Sequence, residues 1–360
     1  ICSEPHSGRL SMDIVITILV FFAIILIHEL GHFTAARIFG MTVDEFSIGM
    51  GPRLFKVRGK KTLYSFRLLP IGGAVQLGED IESDDPNSFR NKPVWQRMIV
   101  IVAGAVMNLI LGLIVCIISV SVGGDIATTQ VSQFSDKSVS SEKLMLGDEI
   151  VGMNGMPVWT TMDISYFFQN TAAKADEQTE RVYFDMTVMR DGKRVELNDV
   201  PFALAKQSET QSAGIVIDFA VLPEAKTVGS VLSMGFRTAL TEGRLIWLTL
   251  IDLVTGTYGV NDLSGPIGVV TTMSTAYRTM SMNAFLTLVA FITINIGIFN
   301  LLPIPALDGA RFFFLLIEAI RRKPIPAEKE GMVHFIGFAA LMLLMLIVTF
   351  NDIVRLASGG

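Results

Sequence analysis

Cysteine, charge and histidine are all scarce in this chain, and each shortage excludes something. Two cysteines, Cys2 and Cys116, occur in 360 residues, and Cys116 lies in an apolar run. Neither a disulfide framework nor a cysteine zinc site is therefore expected. Charged residues make up 18% and apolar residues 51%, with a mean hydropathy of +0.52. That is too apolar for an ordinary soluble protein, and the chain is too long for one small domain. The net charge of −5 says little, because charge is spread unevenly along the chain, and no nucleic-acid partner is expected. Residues 1–11 lack an initiator Met, which Met12 would supply. They are expected to be extraneous to the fold, His6 among them, as are Ser358, Gly359 and Gly360.

With four histidines in all, the placement of two of them is informative. The stretch Ile24-Ile25-Leu26-Ile27-His28-Glu29-Leu30-Gly31-His32-Phe33 sets a His-Glu-x-x-His pattern inside an apolar run. In a helix, positions i and i+4 share a face, so His28 and His32 can present two imidazoles to one metal ion. Glu29 then stands beside the first ligand, where a general base belongs. Ionisable groups at membrane depth are costly and point to function by default.

Four stretches can cross a bilayer: about 14–39, 98–122, 284–307 and 333–350. The first is no cleavable signal, since it is long and carries the His-Glu pair in its second half. Basic residues cluster between the first two spans, from Arg53 to Arg97, and again after the third, from Arg311 to Lys329. Both loops are therefore expected in the cytoplasm, with the termini and the segment 123–283 outside. The apolar run Leu245–Ile251 is short and bracketed by Glu242, Arg244 and Asp252, so it reads as an amphipathic helix at the outer interface. A fifth crossing there would also reverse the second basic cluster.

Residues 41–81 contain a hairpin pattern, Leu54–Val57 and Thr62–Phe66 about a basic turn, followed by the extended apolar piece Leu68–Val75. It reads either as a plain cytoplasmic hairpin or as a sheet dipping toward the bilayer with an edge offered to an extended peptide. The acidic run Glu79, Asp80, Glu82, Asp84 and Asp85 reads as a solvated face. Lys92 to Arg97, with Trp95 among them, anchor the second span at its interface. Outside, two turn signals bracket a short strand in Leu146–Val158, a helix is expected from Thr161, and a hairpin turns at Asp191-Gly192. Its Gly-Asp-x-Ile-x-x-x-Asn-Gly signature resembles PDZ domains, in a single copy.

Two imidazoles rarely hold catalytic zinc, which takes three protein ligands as a rule. His334 starts the last span and reads as an interface residue. A carboxylate is needed, and Asn295–Gly309 offers Asp308 beyond two prolines that break the helix. Asp308 either caps the following helix or serves as that ligand. The first and third spans both run inward and carry these groups toward their inner ends, so the three can meet.

Taken together, the chain resembles the site-2 protease family of intramembrane zinc metalloproteases, in its bacterial RseP/RasP-type branch. The likeness spans residues 13–356 and rests on His28 to Phe33 with Ala36-Arg37, Gly49-Met50-Gly51 and Pro70-Ile71-Gly72-Gly73. It rests also on Leu263 to Ile267, Asn300 to Gly309 and Phe350-Asn351-Asp352. The resemblance implies zinc held by His28, His32 and Asp308, Glu29 as base, and a substrate groove lined by Asn295, Asn300, Gly72 and Gly73. It implies that 41–81 is a membrane-reentrant β-element, and that the outer unit with the helix after it gates substrates already shortened by an earlier cleavage. Ala105 stands where the second span of the family usually has Pro, and Ala310-Arg311 departs from the usual continuation after the Asp-Gly pair.

The expected fold is an α-helical polytopic membrane protein of four transmembrane helices, with a membrane-associated β-hairpin element and one extracytoplasmic PDZ-like domain. Its parts would be 12–40, the first span; 41–97, a cytoplasmic loop with the β-element; 98–122, the second span; and 123–222, the PDZ-like domain. There follow 223–283, the amphipathic helix and gate; 284–310, the third span with its Leu-Asp-Gly motif; 311–332, a cytoplasmic loop; and 333–357, the last span. The expected enzyme sits in a bacterial inner membrane and cleaves single-span proteins, such as anti-sigma factors or signal-peptide remnants. Three rivals stand beside it. A metal transporter leaves Glu29 and the outer domain without a task, a PDZ-bearing scaffold needs no intramembrane histidine, and a silent homologue should lack a ligand or the base.

Overall fold

The structure, a computed structural model, describes residues 12–77, 85–175, 179–205, 214–256 and 264–358. In chain order the helices among them are α1 (Met12–Ile38), α2 (Val94–Val122), α3 (Thr161–Lys174), α4 (Val228–Val254), α5 (Pro266–Thr279), α6 (Met282–Leu301), α7 (Asp308–Arg321) and α8 (Ala327–Ser358). Helices α1, α2 and α6, with Glu328–Val354 of α8, are long and apolar enough to cross a membrane. The chain forms two compact bodies: residues up to Val115 together with those from Gly259 on, and Cys116–Tyr258.

In the first body the helices meet closely where side chains are smallest. A Cβ at Gly31 of α1 would strike the Ala103 carbonyl of α2, so the two backbones lie against each other. The α2 helix starts at Val94, where the Pro93 carbonyl accepts the amides of Gln96 and Arg97. The span anticipated over 284–310 is shorter than expected: α6 ends at Leu301. Pro303 and Pro305 have no N–H with which to continue the ladder. Asp308 consequently lies in the first turn of α7 rather than on the span. Asp352 of α8 accepts the amides of Gly265 (3.2 Å) and Gly268 (2.8 Å), capping the start of α5. Asp13 of α1 meets Ser274 and Arg278 on the same helix α5.

Strands β1 (Glu45–Arg58) and β2 (Leu63–Gln76) also belong to this body and join through a turn in which the Gly59 amide donates to the Thr62 carbonyl. Each folds back on itself. Phe55–Arg58 pairs antiparallel with Leu63–Phe66, as a hairpin should, while Glu45–Ile48 pairs parallel with Leu63–Phe66 and antiparallel with Gly73–Gln76. Arg53, Ser65 and Arg67 all converge on the buried Glu45 carboxylate at the root of this sheet. A buried charge with three donors is satisfied rather than stranded. Of the acidic run, Asp85 is described and accepts bonds from Thr42 and Asn87; the other four members lie outside the described residues, as do residues 1–11, Gly359 and Gly360. Ser358, expected to be extraneous, is the last residue of α8.

The second body holds β3 (Ile126–Phe134), β4 (Glu149–Met153), β5 (Met156–Pro157), β6 (Arg181–Arg190), β7 (Lys193–Ala205), β8 (Gly214–Ile215) and β9 (Phe219–Glu224). They pair in the order β8-β7-β6-β4-β3-β9, with β5 on β4. The turns at Asn154-Gly155 and Asp191-Gly192 put both residues at positive φ, the type I′ geometry that matches strand twist. Phe168 of α3 stacks with Phe184 and Phe202 at centroid distances of 5.3 and 4.8 Å, in a core completed by Ile150, Met153 and Val188. Each such ring contributes roughly 1.5–3 kcal/mol through burial.

Helix α4 is far longer than the run Leu245–Ile251 that suggested it. Two of the charges that bracket that run dock against α3 and its approach. Arg244 reaches Asp163 and the Pro157 carbonyl and stacks over Trp159, and Asp252 accepts from Tyr166 and Asn170. Glu242 is fully buried against Cys116.

Candidate metal centre

The helical period carries His28 and His32 to one face of α1, their rings edge-on with centroids 4.8 Å apart. Asp308 comes from the far end of the chain. Its Oδ2 lies 3.1 Å from His28 Nε2 and 3.2 Å from His32 Nε2, and the two Nε2 atoms are 3.2 Å apart. With both imidazoles protonated on Nδ1 alone, all three atoms are acceptors, and they form a near-equilateral triangle. Hydrogen bonding alone cannot satisfy all three edges. A tetrahedral ion with ligand bonds near 2.0 Å would set its ligands about 3.3 Å apart. The donor set and its spacing therefore fit zinc.

Neighbouring groups aim these ligands. His32 Nδ1 donates to the Val100 carbonyl at 2.8 Å, which leaves Nε2 as the free lone pair. His28 Nδ1 faces the fully buried side chain of Asn108 at 3.4 Å. For Nε2 to serve as a ligand, Nδ1 must carry the proton and needs an acceptor. As placed, the Asn108 Nδ2 faces that nitrogen and its Oδ1 is buried without a hydrogen bond, so a half-turn of the amide would supply the acceptor. Gly104, also on α2, leaves the space: a Cβ there would overlap His32 Nε2 and crowd His28.

Glu29 is buried beside the triangle. A Cβ at Gly73 of β2 would stand 2.5 Å from its Cγ, so the strand backbone passes directly over the carboxylate side chain. Gly72, adjacent, adopts a φ of 74° that favours glycine. The structure thus brings together His28, Glu29, His32, Asp308 and Gly73. Asn295 and Asn300 lie half-buried on α6, and Asn300 donates to its own helix at the Ile296 carbonyl rather than to the triangle. Asn108 and Gly104 escaped the sequence reading, although both lie close to Ala105, noted there for standing where the family usually has proline. No periodicity distinguishes them from the rest of an apolar span.

The sequence model of peptidase family M50 matches residues 16–344. The chain belongs to that family. The protease is 32% identical to the regulator of sigma-W protease RasP of Bacillus subtilis, over 94% of this chain and 97% of that one. It is equally similar, 32%, to the zinc metalloprotease RasP of Bacillus licheniformis, over 94% and 98% of the two chains. A Clostridium acetobutylicum relative is 38% identical over 95% of the protease and 97% of its own length. Family and relatives together make it a zinc metalloprotease of the site-2 type, and its four apolar helices make it a multi-pass membrane protein with a β-rich domain.

Proposed function

We propose that the protease hydrolyses peptide bonds within or beside the transmembrane segment of single-span proteins already trimmed by another protease. His28, His32 and Asp308 hold the zinc and Glu29 is the base. The observation that carries this reading is the 3.1–3.2 Å triangle of ligand atoms with a buried carboxylate beside it. Bound there, zinc would lower the pKa of a water toward about 7 and would polarise the scissile carbonyl. Glu29 would take that water's proton as its oxygen adds to the scissile carbonyl carbon, and would give it to the amine nitrogen as the C–N bond breaks. Gly73 keeps the strand close to that carboxylate and so limits its rotamers.

A helical substrate must unwind before its carbonyl can be attacked, and its freed backbone groups then need partners. The Gly73–Gln76 segment pairs with Glu45–Ile48 on one side, and its other edge is suited to adding a substrate strand. Asn295 and Asn300 add polar side chains to the α6 wall of the same groove. The basic loops support a cytoplasmic placement of the β1–β2 sheet and an extracytoplasmic placement of the termini and of the β-rich domain in a bacterial inner membrane. We read that domain as a single PDZ-like unit which, fixed to α4 through Arg244 and Asp252, filters substrates by size. Anti-sigma factors fit the substrate class, in keeping with a relative named for regulating sigma-W, and remnant signal peptides fit it too. A transporter or scaffold has no use for Glu29 under a strand edge. The test is Glu29→Gln: it should retain zinc and lose cleavage of a single-span substrate by at least about 100-fold. Cleavage at the wild-type rate in that variant rules out the base assignment.

A further inference from the structure

A carboxylate at the head of a short helix must be held to within about half an ångström to serve as a ligand. The loop that delivers Asp308 is not relaxed. In Ile304-Pro305-Ala306-Leu307 the Leu307 amide donates to the Ile304 carbonyl at 3.1 Å, and Ala306 sits at φ 79°. Proline in the second position and positive φ in the third describe a type II turn, whose third residue is normally glycine. A Cβ in that region costs on the order of 1 kcal/mol, so neighbours must hold the turn in place.

Those neighbours come from α8. His334 Nδ1 accepts the Ala306 N–H at 3.1 Å, and its ring meets Phe314 of α7 edge-on at 5.7 Å between centroids. Three residues on and on the same face, Gly337 lies so close to Pro305 that a Cβ would overlap the proline. Of the four spans, α8 is the least covered by protein, most of its described side chains being exposed. Its few close contacts therefore weigh more. A cavity of about 810 Å³, lined in part by Arg311, Phe314, His334 and Phe338, reaches the loop at Ala306.

We propose that His334 is a positioning residue of the metal centre: by accepting the Ala306 N–H it fixes the Pro305-Ala306 turn, and through it the direction in which Asp308 faces His28 and His32. This rests on Asp308 being the third ligand. The task belongs to an acceptor, because Nδ1 can receive this bond only in the neutral ring with its proton on Nε2. A residue that keeps the ring but not the acceptor should fail, and one that keeps the acceptor but not the ring should serve.

The experiment compares His334→Phe with His334→Asn in the full-length protein in nanodiscs. Zinc affinity is read by chelator competition, and kcat and KM are read separately on a single-span substrate. His334→Phe should bind zinc about 10–100-fold more weakly and lower kcat with KM unchanged, while His334→Asn stays within about threefold of wild type in both. Should the Phe variant not accumulate, His334→Leu, isosteric with Asn, takes its place in the comparison. Wild-type zinc affinity in the apolar variant overturns the proposal, and so does an Asn variant that falls as far as the apolar one. Asp308→Ala separates the two readings. Full zinc content there removes the ligand assignment itself, whereas zinc lost there but kept in the apolar His334 variant removes only the positioning role.

Discussion

Each imidazole of the candidate centre is aimed by a group that the His-Glu-x-x-His pattern does not contain. His28 and His32 were legible because a four-residue interval has one meaning on a helix, and Asp308 because two prolines isolate it beyond a broken span. Val100, Gly104 and Asn108 were not legible, since their value lies in how closely α2 approaches α1, and no spacing along one chain segment encodes that. Their roles can be measured. Asn108→Leu removes the polar group that faces His28 Nδ1 while keeping the branched shape of the side chain, and zinc affinity should drop about 10–100-fold with the spans still folded. Gly104→Ala inserts a methyl where His32 Nε2 lies, between two packed backbones that cannot retreat, so the purified variant should hold little zinc. Chelator titration of both variants checks this, and wild-type affinity in either would contradict the geometry.

Among the elements, those with local causes were readable and those with distant ones were not. The basic hairpin turn and the Asp191-Gly192 turn follow from residues next to each other. The parallel pairing of Glu45–Ile48 with Leu63–Phe66 does not, because it depends on both strands folding back. The early end of α6 was implicit in Pro303, yet the apolar run continues past it and concealed the stop. The cap on α5 was hidden for a similar reason, since Asp352 lies 84 residues beyond Gly268. Asp352→Asn should weaken that charge-assisted cap by about 1 kcal/mol, seen as roughly fivefold faster hydrogen exchange in the first turn of α5. Helix α4 carries a pH signature. Burial pushes the Glu242 carboxyl up to about 8 from its ordinary 4.5. Between those values the folded body keeps a proton that the unfolded chain has released, so its stability falls as pH rises through that window. Glu242→Gln should flatten the decline, read as the apparent unfolding temperature between pH 5 and 8.5. An equally steep decline in the variant would assign the pH dependence to another group.

For the molecule as a whole, the division into two bodies decides how far the energy of metal binding spreads. All three candidate ligands, together with Glu29 and Gly73, lie in the body made of residues up to Val115 and from Gly259 on, while the aromatic core of Phe168, Phe184 and Phe202 lies in the other. An ion that binds only the folded state adds about 4 kcal/mol at a thousand times its dissociation constant. That stabilisation acts on the cooperative unit that contains the ligands. Removing zinc with a chelator should therefore speed hydrogen exchange in the second half of α1 and the first turn of α7, while the amides paired between β6 and β7 keep their protection. With Asp308 as the proposed third ligand, the same treatment of Asp308→Ala should change nothing in either body, because that variant would hold no zinc to remove. If chelation of the wild type loosened β6 and β7 as much as α1, the two bodies would unfold as one unit. The β-rich domain would then be a structural part of the catalytic body rather than a separate filter on what reaches it.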